Sequence, residues 1–207
     1  MKSATDAVAR RPYRMKARAE AAQETGERIV DAAWAAFSEQ LFDQITLQQI
    51  AADAGVTVQT ILRRFGSKEA LFEAASRREG ARILADRQPN GAGDGGLDAA
   101  IHALVGHYER DGRTVLNFLR QEDRLPIVAD IVERGRTEHR TWIEQHCAAV
   151  LETTSGQQRD RLLTAAIAAT DLYVWKLLRL DLGRSRKQVE QAMLTLLEGI
   201  ATTSEGS

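Results

Sequence analysis

The chain has 207 residues, of which 43% are hydrophobic, and its formal net charge is -1. This length allows one large domain or two small ones with a buried core. The single cysteine, Cys147, excludes an internal disulfide and fits a reducing cytosol. The sequence shows neither a bilayer-length apolar run nor an apolar signal core, so we expect a cytoplasmic protein. Three prolines and few strand-like alternations predict an all-α fold.

Residues 1–22 are predicted to form a basic, disordered arm, because they lack apolar periodicity. Within residues 1–19, six basic side chains stand against one acid, Asp6. The arm is either a solvated tail or, beside a DNA-binding motif, a segment that follows the phosphate backbone or enters the minor groove. Its basic residues are Lys2, Arg10, Arg11, Arg14, Lys16 and Arg18.

Residues 23–66 are predicted to form a three-helix DNA-binding domain. The first helix should run from about Gln23 to Gln40 and pack its apolar stripe across the other two helices. That stripe contains Ile29, Val30, Ala33, Trp34 and Phe37.

The second and third helices have the signature of a helix-turn-helix. Thr46 can cap the second helix, with Gln49 in the capping-box position. Gly55 can adopt the left-handed conformation that ends this helix, and Thr57 can cap the next one. Two closely crossing helices need a small residue in the earlier helix, a glycine in the turn and a branched residue in the later helix. Ala51, Gly55 and Ile61 meet these three needs.

The third helix, from Val58 to Phe65, has two distinct faces. At about 100° per residue, Ile61 and Phe65 share the inward side. Gln59 and Arg63 point away from it, and these two residue types suit bidentate contacts with adenine and guanine edges. Thr60 and Leu62 flank the outward pair, so this helix is predicted to read DNA.

Ser67 is predicted to cap a connecting helix over residues 67–87, and any rotation of this helix would move the recognition helix. The Gly-rich segment Gln88 to Gly96 is predicted to be a flexible loop.

Residues 88–207 should then form a second helical domain. Its helices are expected at Leu97 to Arg110, Val115 to Leu119, Pro126 to Glu152 and Gln158 to Leu180, followed by a last helix that begins with a capping box of Ser185 and Gln188.

The helix predicted from Gln158 to Leu180 is apolar on more than one face. A wide apolar surface with small residues favours a partner helix, and ordinary core packing is the alternative. The residues concerned are Leu163, Ala166, Ile167, Thr170, Val174, Leu177 and Leu178.

Two histidines lie on the apolar stripe of the helix from Pro126, with Trp142 between them. They are interpreted as core histidines with internal hydrogen bonds or as the polar lining of a ligand cavity. A metal site is disfavoured, because their two-turn spacing is wider than that of a zinc helix. The candidate pocket comprises His107, Phe118, His139, Trp142, His146 and Asp171, and Tyr108 and Tyr173 could join it.

The stretch "RIVDAAWAAFSEQLFDQITLQQIAADAGVTVQTILRRFGSKEALFEAA" resembles the DNA-binding domain of the TetR family of transcriptional regulators. The resemblance covers about the first third of the chain. It implies a homodimer that pairs through its last two long helices and binds a pseudo-palindromic DNA operator. It also implies a repressor whose second domain binds a small-molecule effector, which releases the operator.

Two positions depart from the family pattern. Leu62 replaces a common tyrosine and Val58 replaces a frequent lysine, which implies that phosphate contacts shift to Arg63, Arg64, Lys68 and the basic arm. The candidate DNA-binding residues are Thr46, Thr57, Gln59, Thr60, Leu62, Arg63, Arg64 and Lys68.

We expect no enzymatic activity, no metal and no cofactor. The sequence contains no phosphate-binding glycine loop, nucleophile elbow or metal-ligand cluster. The alternative to an effector-controlled repressor is a DNA-binding adaptor of the same fold that has no ligand or is controlled by a protein partner.

Overall fold

A computed structural model describes residues 5–87 and 96–204, and within these ranges it contains helices and no β-strand. Residues 88–95 of the predicted loop and the first four residues of the arm lie outside the described part, whereas Gly96, predicted to end the loop, begins a helix. Two compact units divide the chain, Met1–Arg77 and Arg78–Ser207. The boundary falls inside a helix, α4, which therefore contributes residues to both units.

The first unit contains helices α1 (Thr5–Glu39), α2 (Leu47–Asp53) and α3 (Val58–Phe65), a short 3-10 turn at Phe42–Gln44, and the start of α4 (Lys68–Arg87). Three phenylalanine rings form its centre. Phe37 lies 4.4 Å from Phe72 between ring centroids, and Phe42 lies 5.2 Å from Phe72. Ile29, Ile50 and Ile61 are fully buried beside them, which confirms the apolar faces predicted for the three helices.

Helix α1 begins at Thr5, so the structure differs from the disordered arm predicted for residues 1–22. Alanine, arginine, lysine and glutamate have high helix propensity. Nucleation is the costly step of helix formation, and the packed half of α1 supplies it. The helix can then extend through residues 16–24, which are all exposed, and Lys16 pairs with Glu20 one turn away at 3.9 Å.

The second unit contains helices α5 (Gly96–Leu119), α6 (Pro126–His146), α7 (Ala148–Leu151), α8 (Gly156–Ala169), α9 (Leu172–Trp175) and α10 (Arg186–Ser204), with a π-helical turn at Lys176–Asp181. Helix α10 packs against α5 and α8, and α5 packs against α6 and α9. The core includes Leu104, Ile143, Leu163, Trp175 and Met193.

Helix α5 is continuous, whereas the sequence predicted a break between Arg110 and Val115. The glycine in this gap, Gly112, lies against the Trp175 ring, and an added Cβ would come within 2.7 Å of it. Gly112 therefore permits a close approach of two helices and does not end one.

The single helix predicted from Gln158 to Leu180 is interrupted at Thr170. The hydroxyl of Thr170 donates to the Ala166 carbonyl at 2.8 Å. Asp171 has an extended backbone and caps α9, because its carboxylate accepts from the Tyr173 amide at 2.7 Å. A capping pair inside an apolar run thus divides the helix.

Candidate nucleic-acid interface and effector site

The turn between α2 and α3 is fixed by local hydrogen bonds. Thr46 Oγ1 accepts from the Gln49 amide at 3.2 Å, and Thr57 Oγ1 accepts from the Thr60 amide at 3.2 Å. Gly55 between them has a φ of 64°, which favours glycine. The predicted caps and the turn glycine are confirmed.

Helix α3 presents the two faces expected from its sequence. Ile61 is fully buried and Phe65 is half-buried, so both anchor the helix. Gln59 and Arg63 are exposed, and Leu62 beside them is 37% exposed. The protein therefore displays one amide and one guanidinium, spaced one helical turn apart, on an open surface.

The remaining hydroxyl candidates serve the helix ends. Thr46 and Thr57 are exposed, and each uses its hydroxyl as a cap. Thr60 is half-buried, and its hydroxyl lies 3.0 Å from that of Thr57. Any DNA contact by these side chains would be made by groups that the caps already orient.

Lys68 binds within its own unit. Its ammonium donates to the carbonyls of Phe42 at 2.8 Å and Ile45 at 3.0 Å, and it lies 4.2 Å from the centre of the Phe42 ring. A lysine has three donors, so one remains for a phosphate. Lys68 thus joins the start of α4 to the segment before the helix-turn-helix.

Arg64 also reaches its own unit. Its Nη1 donates to the Ala22 carbonyl at 2.8 Å, and its guanidinium lies over Gly26 of α1. Of the three arginine and lysine side chains expected to hold phosphates, only Arg63 has no such internal bond among the described contacts.

In the second unit, His107 belongs to a cluster of charged residues. His107 Nδ1 lies 3.1 Å from Asp111 Oδ2, and Arg82 of α4 donates to Asp111 Oδ1 at 2.9 Å. Burial by itself would raise the pKa of Asp111, but the His107 hydrogen bond and the Arg82 charge outweigh it and lower that pKa. Arg82 also pairs with Glu79 at 2.6 Å, so the cluster joins α4 to α5.

His139 and Tyr108 meet at the end of α8. His139 Nε2 lies 3.1 Å from Thr170 Oγ1, and the Tyr108 hydroxyl donates to the Thr170 carbonyl at 2.9 Å. The Thr170 hydroxyl proton is engaged with Ala166, so His139 must donate from Nε2. His139 thus has an internal hydrogen bond, as expected if it is a core histidine.

Trp142 and His146 stack on α6, with ring centroids 4.4 Å apart. His146 is half-buried, and its Nδ1 lies 2.8 Å from the Trp142 carbonyl. Trp142 is 6% exposed, and its indole N–H has no hydrogen-bond acceptor among the described residues. A buried indole N–H usually finds a partner, so this atom is a point where a ligand or water acceptor would fit.

The other pocket candidates do not all join this stack. His107 lies in the cluster with Asp111 and Arg82. Phe118 is buried at 5% exposure, and Asp171 caps α9. Within residues 5–87 and 96–204 no three histidine, cysteine or acidic side chains are grouped as metal ligands.

Two residues outside the predicted set prove to hold elements together. Arg82 joins α4 to α5, and Glu109 accepts from Trp175 Nε1 at 2.9 Å and from Arg179 Nε at 2.9 Å. The spacing of His107 and Asp111, one helical turn apart, could have indicated that pair. No local pattern predicts that Arg82 bonds to Asp111 or that Trp175 bonds to Glu109, because the partners in each pair are distant in sequence.

Comparison with known proteins agrees with this architecture. Residues 29–75 match the family described as bacterial regulatory proteins, tetR family. No curated protein matches the chain significantly. None of the helices in the described ranges is long and apolar enough to cross a membrane.

Solved structures resemble the chain over most of its length. A tetR-family transcriptional regulator from Streptomyces coelicolor has a TM-score of 0.66 and 17% identity, covering 89% of each chain. A TetR-like regulator from Rhodococcus sp. RHA1 has a TM-score of 0.62 and 24% identity, covering 88% of this chain and 96% of that one. The Flavonoid-responsive Regulator FrrA has a TM-score of 0.58 and 22% identity, covering 86% and 96%.

The helix-turn-helix, the exposed face of α3 and the larger helical unit define a DNA-binding transcriptional regulator with an all-α fold. The family match makes the class of the first unit more specific: residues 29–75 match the tetR family of bacterial regulatory proteins, and the whole chain has the fold of solved regulators of that kind.

Proposed function

We propose that the protein is a homodimeric repressor that binds a pseudo-palindromic operator in the cytoplasm and leaves it when a small molecule binds the second unit. The observation that carries this proposal is the division of α3 into a buried anchor, Ile61, and an exposed pair, Gln59 and Arg63. An amide and a guanidinium one turn apart suit the edges of adenine and guanine.

The operator itself can be obtained by selection from randomised duplexes with the full-length protein. We then expect Gln59→Ala and Arg63→Ala each to cost about 1 to 3 kcal/mol on the selected duplex and to relax its sequence preference. Fluorescence anisotropy with the selected and single-base-substituted duplexes measures both effects.

Matched controls are Gln157→Ala and Arg113→Ala, which change exposed residues of the same types in the second unit. They should leave affinity and preference as in the wild type. If Gln59→Ala also behaves like the wild type, α3 does not read bases with the face proposed here.

Dimerisation through the last two helices is supported by their outer surfaces. On α8, Thr164 and Ala168 are exposed small residues, which allow a second helix to approach closely. On α10, Leu196 is 47% exposed. Two copies related by a two-fold axis would present two α3 helices to two half-sites.

An effector in the second unit is supported by Trp142, whose buried indole N–H has no acceptor among the described residues. Leaving such a donor unpaired costs about 1 to 3 kcal/mol, which a ligand carbonyl or carboxylate would recover. One structural neighbour is named as a flavonoid-responsive regulator. For this chain we propose a small, flat molecule with a hydrogen-bond acceptor.

The adaptor alternative has its own support, since His107 and His139 already bond within the protein. A thermal-shift screen with small aromatic carbonyl compounds separates the two functions. An effector should raise the melting temperature of the wild type, leave Trp142→Phe unchanged and weaken operator binding. A screen in which every binder leaves operator affinity unchanged favours the adaptor.

For release, the effector must prefer one of two arrangements of the protein, with a coupling of about 1 to 3 kcal/mol. Helix α4 is the proposed lever, because it contributes residues to both units and is joined to α5 by Arg82 and Asp111. Crystal structures with and without an active effector that show the same half-site spacing would contradict this mechanism.

A further inference from the structure

The side chain of Arg64 contacts helix α1. Arg64 lies in the last turn of the recognition helix, and its guanidinium lies against α1 at two points, the Ala22 carbonyl and Gly26. Gly26 is buried beneath it, although glycine is a poor residue for a helix interior. The missing side chain creates the space that the guanidinium occupies.

This contact lies at the border between two halves of α1. Residues 16–24 are all exposed, whereas Ile29 and Ala33 are completely buried in the first unit. Arg64 therefore holds α1 where the helix leaves the body of the unit. The contact of Arg64 with Ala22 and Gly26 therefore sets the direction of the part of α1 that precedes Ala22.

The half of α1 before Ala22 carries most of the basic residues of the arm. Arg10, Arg14 and Arg18 lie about 6 to 18 Å beyond Ala22 along the axis, at 1.5 Å per residue. Lys16 and Arg18 in this half are both exposed. A rigid helix with exposed basic side chains suits a row of phosphates better than a disordered tail does, because less entropy is lost on binding.

We propose that Arg64 is a positioning residue: it fixes the direction of the basic half of α1 so that this helix lies along the DNA phosphate backbone. This inference rests on the proposed DNA-binding function and adds a second contact region to α3. Arg64 then acts through α1, whereas Arg63, one residue earlier, faces DNA directly.

Gly26→Ala gives a test that changes no charge. The added Cβ would lie 2.2 Å from Arg64 Nη2, so the flexible Arg64 side chain must move away from Gly26. Alanine also favours the helix, so α1 itself is preserved. Gly135→Ala is the matched control, because Gly135 is exposed in α6 with nothing within 4 Å of an added Cβ.

The measurement is the salt dependence of binding to a mixed-sequence duplex of about 30 base pairs, roughly three helical turns. Each phosphate contact contributes about 0.9 to the slope of log K against log salt. We expect Gly26→Ala and Arg64→Ala each to lower the slope by about 2 and to weaken binding about tenfold at moderate salt, more than one lost cation explains. Gly135→Ala should match the wild type.

The same two substitutions are repeated in a full-length chain whose Arg10, Arg11, Arg14, Lys16 and Arg18 are changed to glutamine, which keeps helix propensity. In that chain they should no longer alter the slope. An unchanged slope for Gly26→Ala in the original chain, with circular dichroism confirming the fold, overturns the positioning role. An Arg64→Ala effect that persists in the chain with the five glutamines also overturns it. A wild type that does not bind DNA overturns the proposed function as well.

Discussion

At the scale of single residues, the environment of each cation decides what it does. Arg63 faces solvent, Arg64 lies on α1 and Lys68 binds two carbonyls, although all three stand within six residues. Sequence spacing alone treats them as equal candidates for phosphate binding. Arg63 is left on the exposed surface of α3, and the other two cations bond within the first unit.

Lys68→Ala should therefore reduce stability. Loss of two charge-assisted hydrogen bonds and of the contact with the Phe42 ring should lower the free energy of unfolding by about 2 kcal/mol. Urea unfolding followed by circular dichroism measures it, with Lys187→Ala, an exposed lysine in α10, as control. An unchanged unfolding free energy combined with a salt slope lower by about 1 would instead identify Lys68 as a phosphate contact.

At the scale of helices, close packing and buried charge join α5 to its neighbours. The face of α5 that carries Gly112 receives the Trp175 ring, and the carboxylate of Asp111 receives Arg82 from α4. Asp111 is 7% exposed, so its charge depends on these partners. Helix α5 is thus the element through which α4 and α9 are connected.

Gly112→Ala should disturb this packing. The new Cβ would lie 2.7 Å from the Trp175 ring, which is fully packed and cannot move as an exposed side chain would. We expect a loss of about 1 to 3 kcal/mol in the free energy of unfolding. Gly135→Ala should raise stability by about 0.5 to 1 kcal/mol, because that site is open and helical. Equal effects of the two substitutions would show that the Trp175 contact does not constrain α5.

Asp111→Asn should change how stability depends on pH. The folded pKa of Asp111 lies below its ordinary value of 3.8, so the carboxylate stabilises the fold fully above about that pH. This contribution disappears as the pH falls through the lower folded pKa. The variant should be less stable than the wild type by about 1 to 3 kcal/mol at neutral pH. As the pH falls below about 3.8, the wild type should lose more stability than the variant, because only the wild type has this carboxylate to protonate.

Urea unfolding at a series of pH values measures this difference. Asp160→Asn, at an exposed position of α8, is the matched control and should follow the wild-type curve. Parallel curves for Asp111→Asn and the wild type would show that the Asp111 carboxylate does not stabilise the folded state.

At the scale of the whole molecule, α8 and α10 present an outer surface that contains Leu196. If this surface forms the proposed dimer, Leu196→Glu places a charge in the interface and should weaken dimerisation about 100-fold, since an unpaired buried charge costs several kcal/mol. Sedimentation equilibrium over a range of concentrations measures the change. Lys187→Glu, exposed in the first turn of α10, should have little effect. A Leu196→Glu protein that dimerises as tightly as the wild type places the interface elsewhere.

Features that depend on a few neighbouring residues could be predicted from the sequence alone. Thr46 and Thr57 bond to amides three residues away, Gly55 has the positive φ that its turn requires, and Ser185 and Gln188 form a reciprocal cap. The two faces of α3 follow from helical periodicity. These local signals, with the family resemblance, were enough for the fold class and the recognition helix.

Features that depend on distant partners could only come from the tertiary structure. No local signal marks Gly112, which lies beneath a tryptophan 63 residues away, or the break at Thr170, which bonds to Tyr108 and His139 of other helices. Arg64 and Lys68 likewise bond to residues 42, 26 and 23 positions earlier in the chain. The sequence by itself determined where α2 and α3 begin and which face of α3 is open. Only packing decided which cations remain on that surface, because a side chain's hydrogen bonds depend on the groups that the fold brings near it.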